Sequence, residues 1–133
     1  MNKKFFISTA IIFVATMAVG FLVHGFIMRG DYMQLPNLFR TEEDSKHYFP
    51  IMLLAHVILS GALVAIYRRG KESKPFIGQG IRFGLSIALV STIPLYLIYY
   101  AVQPMPGLFV AKQIILDTLG MMGTGVLLAR LEK

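Results

Sequence analysis

Residues 78–102 read GQGIRFGLSIALVSTIPLYLIYYAV, and this stretch decides the fold class. It carries one charge, Arg82, and no acid. At about 1.5 Å of rise per residue a helix of this length reaches roughly 37 Å, more than the hydrocarbon core of about 30 Å. Gly80, Gly84, Ala88 and Ser91 form a ladder of small residues at helical spacing. In a membrane such a ladder lets two helix backbones approach closely. Pro94 removes one backbone donor and crowds the carbonyl of Val90, so a kink is expected there. Tyr96, Tyr99 and Tyr100 then read as an interfacial belt, and Gln103-Pro104-Met105-Pro106-Gly107 ends the run.

Three further apolar runs lie on either side, at residues 5–28, 50–67 and 108–129. Each reaches roughly 27 Å or more as a helix. Helices are required, because an open strand would leave its backbone groups unpaired in lipid. The expectation is therefore an all-α, four-helix transmembrane bundle over residues 1–133, one membrane domain. Composition agrees. The 133 residues are 56% hydrophobic and 15% charged, with a mean hydropathy of +0.65, whereas about a quarter of a soluble domain is charged. The chain has no cysteine, which excludes disulfides, zinc–thiolate sites, cysteine nucleophiles and cysteine-ligated iron–sulfur clusters.

The first run begins like a signal peptide, with Asn2-Lys3-Lys4 ahead of an apolar core and Ala18-Val19-Gly20 as a small-residue site. It continues through Phe21-Leu22-Val23 to Met28, beyond the roughly 7–15 residues of a signal core. It is read as a retained span.

Charge sorts the loops. Around the connection between the second and third runs, Arg68, Arg69, Lys71 and Lys74, with Arg82 just inside the third run, face a single Glu72. Lys3 and Lys4 lie at one terminus, and Arg130 and Lys133 with Glu132 at the other. Residues 29–49 are instead mixed, and residues 103–107 carry no charge. Basic loops stay in the cytoplasm, which predicts a multi-pass protein of a bacterial inner membrane with both termini inside. The net charge of +6 then sits beside anionic lipid headgroups, and no nucleic-acid partner is expected. In the mixed loop, Thr41-Glu42-Glu43-Asp44 pairs an N-cap with first-turn acids. It predicts a short outer-surface helix near residues 41–48.

The spans also hold polar side chains. Thr9, Thr16, Gly20 and His24 share a face of the first; His56 and Ser60 lie one turn apart on the second; Gln113, Asp117, Gly120 and Thr124 mark the fourth. Together with Gly80, Gly84 and Ala88, Gly120 is read as a helix-packing position. Asp117 lies about 13 Å along its run, where an aspartate costs several kcal/mol unless paired or protonated, and is a functional candidate by default. Lys112 snorkels to the outer surface rather than pairing with it. The nearest partners in depth are His56 and then His24, giving an expected intramembrane polar cluster of Asp117, His56, His24 and Gln113.

His24-Gly25, Tyr32, Leu35-Pro36-Asn37-Leu38-Phe39-Arg40, Arg82-Phe83-Gly84, Pro94, Tyr100-Ala101-Val102 and Pro104-Met105-Pro106 make a distinctive set. Over roughly residues 20–130 the chain resembles a group of small bacterial four-span membrane proteins to which no activity is assigned. The resemblance implies the topology and the bacterial inner membrane, and no cofactor or substrate.

Three functional classes follow. The first is a non-enzymatic membrane protein that self-associates or serves as an accessory subunit of a membrane complex. The second is a small proton- or cation-coupled carrier or channel using Asp117, His56 and His24, since histidine titrates near physiological pH. The third is a haem or metal protein with His24 and His56 as ligands. The chain lacks a Gly-x-Ser-x-Gly elbow, a P-loop and a His-Glu-x-x-His motif, so no catalytic residue is named and no resident cofactor or metal is expected on the first two readings.

Overall fold

The computed structural model describes residues 2–133, and its order is α1 (Lys3–Gly20), a π-helical stretch (Phe21–Ile27), α2 (Arg29–Met33), α3 (Glu42–Lys46), α4 (Phe49–Gly70), α5 (Phe76–Val90), α6 (Thr92–Val102) and α7 (Gly107–Leu131). The fold is all-α, with no strand among the described residues. Four helical spans are long and apolar enough to cross a membrane: Lys3–Ile27, Phe49–Gly70, Phe76–Val102 and Gly107–Leu131. They overlay the four expected runs to within three residues at each end, the first stopping one residue short of Met28. Two compact units divide the chain, Met1–Ala65 and Ile66–Lys133, with the division falling inside α4.

In the first unit Asn2 caps α1, its side chain accepting from the Phe5 amide at 3.1 Å. The buried face of α1 repeats every four residues at Ser8, Ile12 and Thr16. Beyond Gly20 the ladder widens, and the Met28 amide donates to Val23 O, five residues back, at 2.8 Å. Gly25 permits the wider turn: a Cβ there would lie 3.1 Å from the Phe21 ring. The helix therefore continues past the small-residue segment instead of ending at it. Thr41 caps α3, its hydroxyl accepting from the Asp44 amide at 3.2 Å, so the expected loop helix is present. Arg29 grips Glu42 at 2.5 and 3.0 Å, and Arg40 reaches Asp44 at 2.8 Å while lying 3.6 Å over the Tyr48 ring. The Arg29 and Arg40 guanidinium pKa values are raised, each first by its carboxylate hydrogen bond. Pro50 sits in the first turn of α4, where its missing amide costs nothing.

In the second unit α5 and α7 are in backbone contact. Gly80, Gly84 and Ala88 are buried along α5. A Cβ on Gly80 would lie 2.6 Å from both Gly125 O and Val126 N, and one on Gly84 would lie 2.5 Å from Met122 Cα. On α7 the position that closes this contact is Gly125, whose own Cβ would be driven into the Gly80 carbonyl oxygen. Gly120, half-buried, lies one turn before Thr124, which donates to its carbonyl at 2.9 Å.

The third span is interrupted, and the break falls at Ser91 rather than at Pro94. Ser91 has φ −125° and ψ −73°, between the last residue of α5 and the first of α6. The physical reason is local: proline disturbs the turn that precedes it, the one containing the Val90 carbonyl. Ser91 bridges the fault, its amide and hydroxyl both donating to Ile87 O at 3.0 and 2.7 Å. At the end of α6 Gln103 is extended, φ −126° and ψ 144°, as a residue before proline must be.

The C-terminal ends of α4 and α7 are joined by charge. Arg68 donates to both Glu132 carboxylate oxygens at 2.8 and 2.9 Å, and Glu132 is only 3% exposed. Lys71 Nζ donates to the Glu132 carbonyl at 3.0 Å.

Candidate functional site

Asp117 lies ten residues into α7, about 15 Å along a helix whose 25 residues span roughly 37 Å. It is therefore close to the middle of its span. The Tyr96 hydroxyl, from α6, donates to Asp117 Oδ2. Tyr96 sits six residues from the end of α6, so its ring turns inward from the interface and reaches down to the acid. Tyr99 and Tyr100 are exposed, 39% and 50%, as belt residues are. Gln113, 3% exposed, precedes Asp117 by one turn on the same face of α7.

Sequence reasoning placed Tyr96 with the belt, because three tyrosines near a helix end fit that role by composition. Spacing alone does not separate it from Tyr100, which shares its helix face. Tyr96 precedes Tyr100 by one helical turn and follows Pro94 by two residues, on the segment that the break at Ser91 re-aims. The direction taken by α6 after that break is a tertiary fact, invisible in a hydropathy pattern.

His56 belongs to the first unit. Its Nδ1 is 3.0 Å from Thr16 Oγ1. Thr16 Oγ1 is placed to donate to Phe13 O at 3.1 Å and lies 3.4 Å from Ser60 Oγ. Ser60 donates back to the His56 carbonyl at 2.7 Å. Each hydroxyl has a single proton. With Ser60's proton on the His56 carbonyl and Thr16's on Phe13 O, the remaining Thr16 lone pair accepts from His56 Nδ1–H. The other ring nitrogen, Nε2, faces Gly20: a Cβ there would stand 3.8 Å from it. The Nδ1–H is assigned from the network of partners rather than from a located proton.

His24 lies in the π-helical stretch, and its Nδ1 is 2.6 Å from the Tyr32 hydroxyl. Tyr32 in turn packs edge-on against Phe39, ring centroids 4.7 Å apart. A histidine in the span is thereby tied to the loop that follows it. Three of the four members of the expected cluster thus have a defined neighbour: Asp117 takes Tyr96, His56 takes Thr16 and His24 takes Tyr32. Asp117 and Gln113 belong to one unit, and His56 and His24 to the other. Among the described residues, no group of three or more His, Asp or Glu side chains converges as a metal ion would require. What the geometry offers chemically is a carboxylate near mid-span beneath a phenol donor, and an imidazole held at Nδ1 by Thr16 with its Nε2 facing Gly20. Comparison with protein-family models, curated proteins and solved structures finds no match to this chain.

Proposed function

We propose that this chain is a non-enzymatic multi-pass protein of a bacterial inner membrane, with both termini cytoplasmic, that works through its helix faces as a self-associating or accessory subunit. One observation carries the reading: the spans turn large apolar side chains outward. Phe21, Phe26 and Val90 are each 74% exposed, and Leu108 is 72% exposed. Such faces fit lipid or the apolar face of another helix. The glycine ladder of α5 is already occupied by α7, so association uses the larger aliphatic faces. The test is mass determination in lipid nanodiscs combined with cross-linking in native membranes. A monodisperse monomer with no co-purifying membrane protein overturns the proposal.

A second reading, a proton- or cation-coupled path, is favoured by the Tyr96–Asp117 bond on a span broken at Ser91. Interrupted helices with a polar group near mid-membrane are the form that ion sites take in transporters. Flux in liposomes that disappears in Asp117→Asn supports it, and absence of flux across protons and monovalent cations removes it.

A further inference from the structure

The basic end of the second unit contains a cavity of about 370 Å³, formed where α4 ends, α5 begins and α7 ends. Its walls are of two kinds. Tyr67 and Ala129, 4% and 1% exposed, give it an apolar floor together with the ring of Phe76. Lys71, Lys74 and Lys133 give it a basic rim.

The two carboxylates of the wall are already engaged. Glu132 is held by Arg68 through both oxygens. Glu72 pairs with Lys74, whose hydrogen bond and charge keep its pKa below the usual carboxylate value of 4.5. The shape is fixed as well. Tyr67 donates to Gln79 Oε1, while Gln79 Nε2 donates to the Glu72 carbonyl at 2.7 Å, tying the loop to α5. Arg130 and Lys133 stand 5.5 and 5.7 Å over the Phe76 ring, within cation–π range.

We infer that this cavity binds a phosphate-bearing anionic group at the membrane surface, specifically the headgroup of an anionic phospholipid whose first acyl carbons lie on the Phe76 side. The basic rim fits an anion such as phosphate, whether free or carried by a lipid headgroup. The apolar floor favours the lipid, as does exposed Ile77 next to Phe76, 55% exposed on α5. Lys71 spends one of its three donors on the Glu132 carbonyl, leaving two for phosphate oxygens.

The inference rests on the membrane reading but fails separately from it. The test uses the whole protein in phosphatidylcholine nanodiscs with and without phosphatidylglycerol, reading retained lipid by native mass spectrometry and thermal unfolding in parallel. Wild type is expected to retain phosphatidylglycerol selectively and to unfold at a higher temperature with it. Lys71→Gln/Lys133→Gln, which leaves the Glu72–Lys74 pair in place, is expected to lose that selectivity by about tenfold or more, the scale of two basic residues at an anionic surface. Lys71→Met, which keeps the apolar stem, is expected to lose it in part. Lys3→Gln/Lys4→Gln removes the same charge elsewhere and should leave selectivity intact. Equal losses in both double variants overturn the site in favour of diffuse surface charge. Stabilisation by inorganic phosphate equal to that by phosphatidylglycerol overturns the lipid assignment. In every such outcome a protein that still inserts into the nanodisc leaves the membrane reading untouched.

Discussion

Gly80→Ala is the sharpest perturbation of the second unit. The new methyl would lie 2.6 Å from Gly125 O and Val126 N, all of them backbone-fixed and unable to swing away. Ordinary van der Waals contact begins at 3.4 Å, so α5 and α7 must part locally by about 1 Å. A gap of 0.5–1 Å forfeits roughly a quarter to a half of each dispersion contact. For an interface of the order of 40 atom pairs at about 0.15 kcal/mol each, the loss is about 1.5–3 kcal/mol. That range agrees with the usual cost of overpacking, about 1–3 kcal/mol. The assay is reversible unfolding in mixed micelles or by steric trapping in bilayers. Gly123→Ala is the matched control, since a Cβ there meets nothing within 4 Å on the same helix system; it should change stability by less than about 0.5 kcal/mol. Gly80→Ala combined with Gly125→Ala should cost less than the sum, because both methyls report one crossing. If Gly80→Ala proves as mild as Gly123→Ala, the backbone contact between α5 and α7 does not exist as described.

Four further outcomes are expected. Glu132→Gln should destabilise by about 3 kcal/mol in the same assay, because Arg68 loses a buried, two-point partner; Arg68→Met/Glu132→Leu should regain much of that loss, and a neutral Glu132→Gln refutes the pairing. Tyr96→Phe should cost about 1–2 kcal/mol through the lost bond to Asp117, whereas Asp117→Asn, which keeps an acceptor oxygen, should cost less in thermal unfolding. Thr16→Val should release His56 and move its ring ¹⁵N resonances away from the Nδ1–H pattern; unchanged resonances refute the proton assignment. The Glu72–Lys74 turn should hold above pH 4.5 and loosen as pH falls through the depressed Glu72 value, because protonation removes the partner of Lys74; an NMR titration of the Lys74 amide, bonded to Glu72 O at 2.9 Å, follows it.

The four spans were legible because hydropathy, length and loop charge are local properties that accumulate over twenty residues. Thr41 and the acids behind it announced α3 for the same reason. Gly80, Gly84 and Ala88 could be singled out by spacing, but their partner could not: Gly123 and Gly125 are two residues apart and equally small, yet only Gly125 meets α5. The rotation of α7 about its own axis decides between them. Asp117 stood out as an isolated mid-span acid, while its phenol donor was masked by two similar tyrosines. The π-helical stretch left no sequence mark beyond Gly25, over which the Phe21 ring lies close.

That stretch has a consequence for how the first span tolerates change in length. A wide turn amounts to one residue added to an otherwise regular helix, and each residue of an α-helix turns the chain by about 100°. Deleting a single residue between Phe21 and Ile27 would leave the span long enough to cross a bilayer. Closing the wide turn to an ordinary one takes up the missing residue, so the segment beyond it stays in register with α1. A deletion within Lys3–Gly20, which has no such slack, would instead turn the rest of the span by about 100°, so the wide turn is the one place in the first span that can lose a residue without re-aiming the loop beyond it.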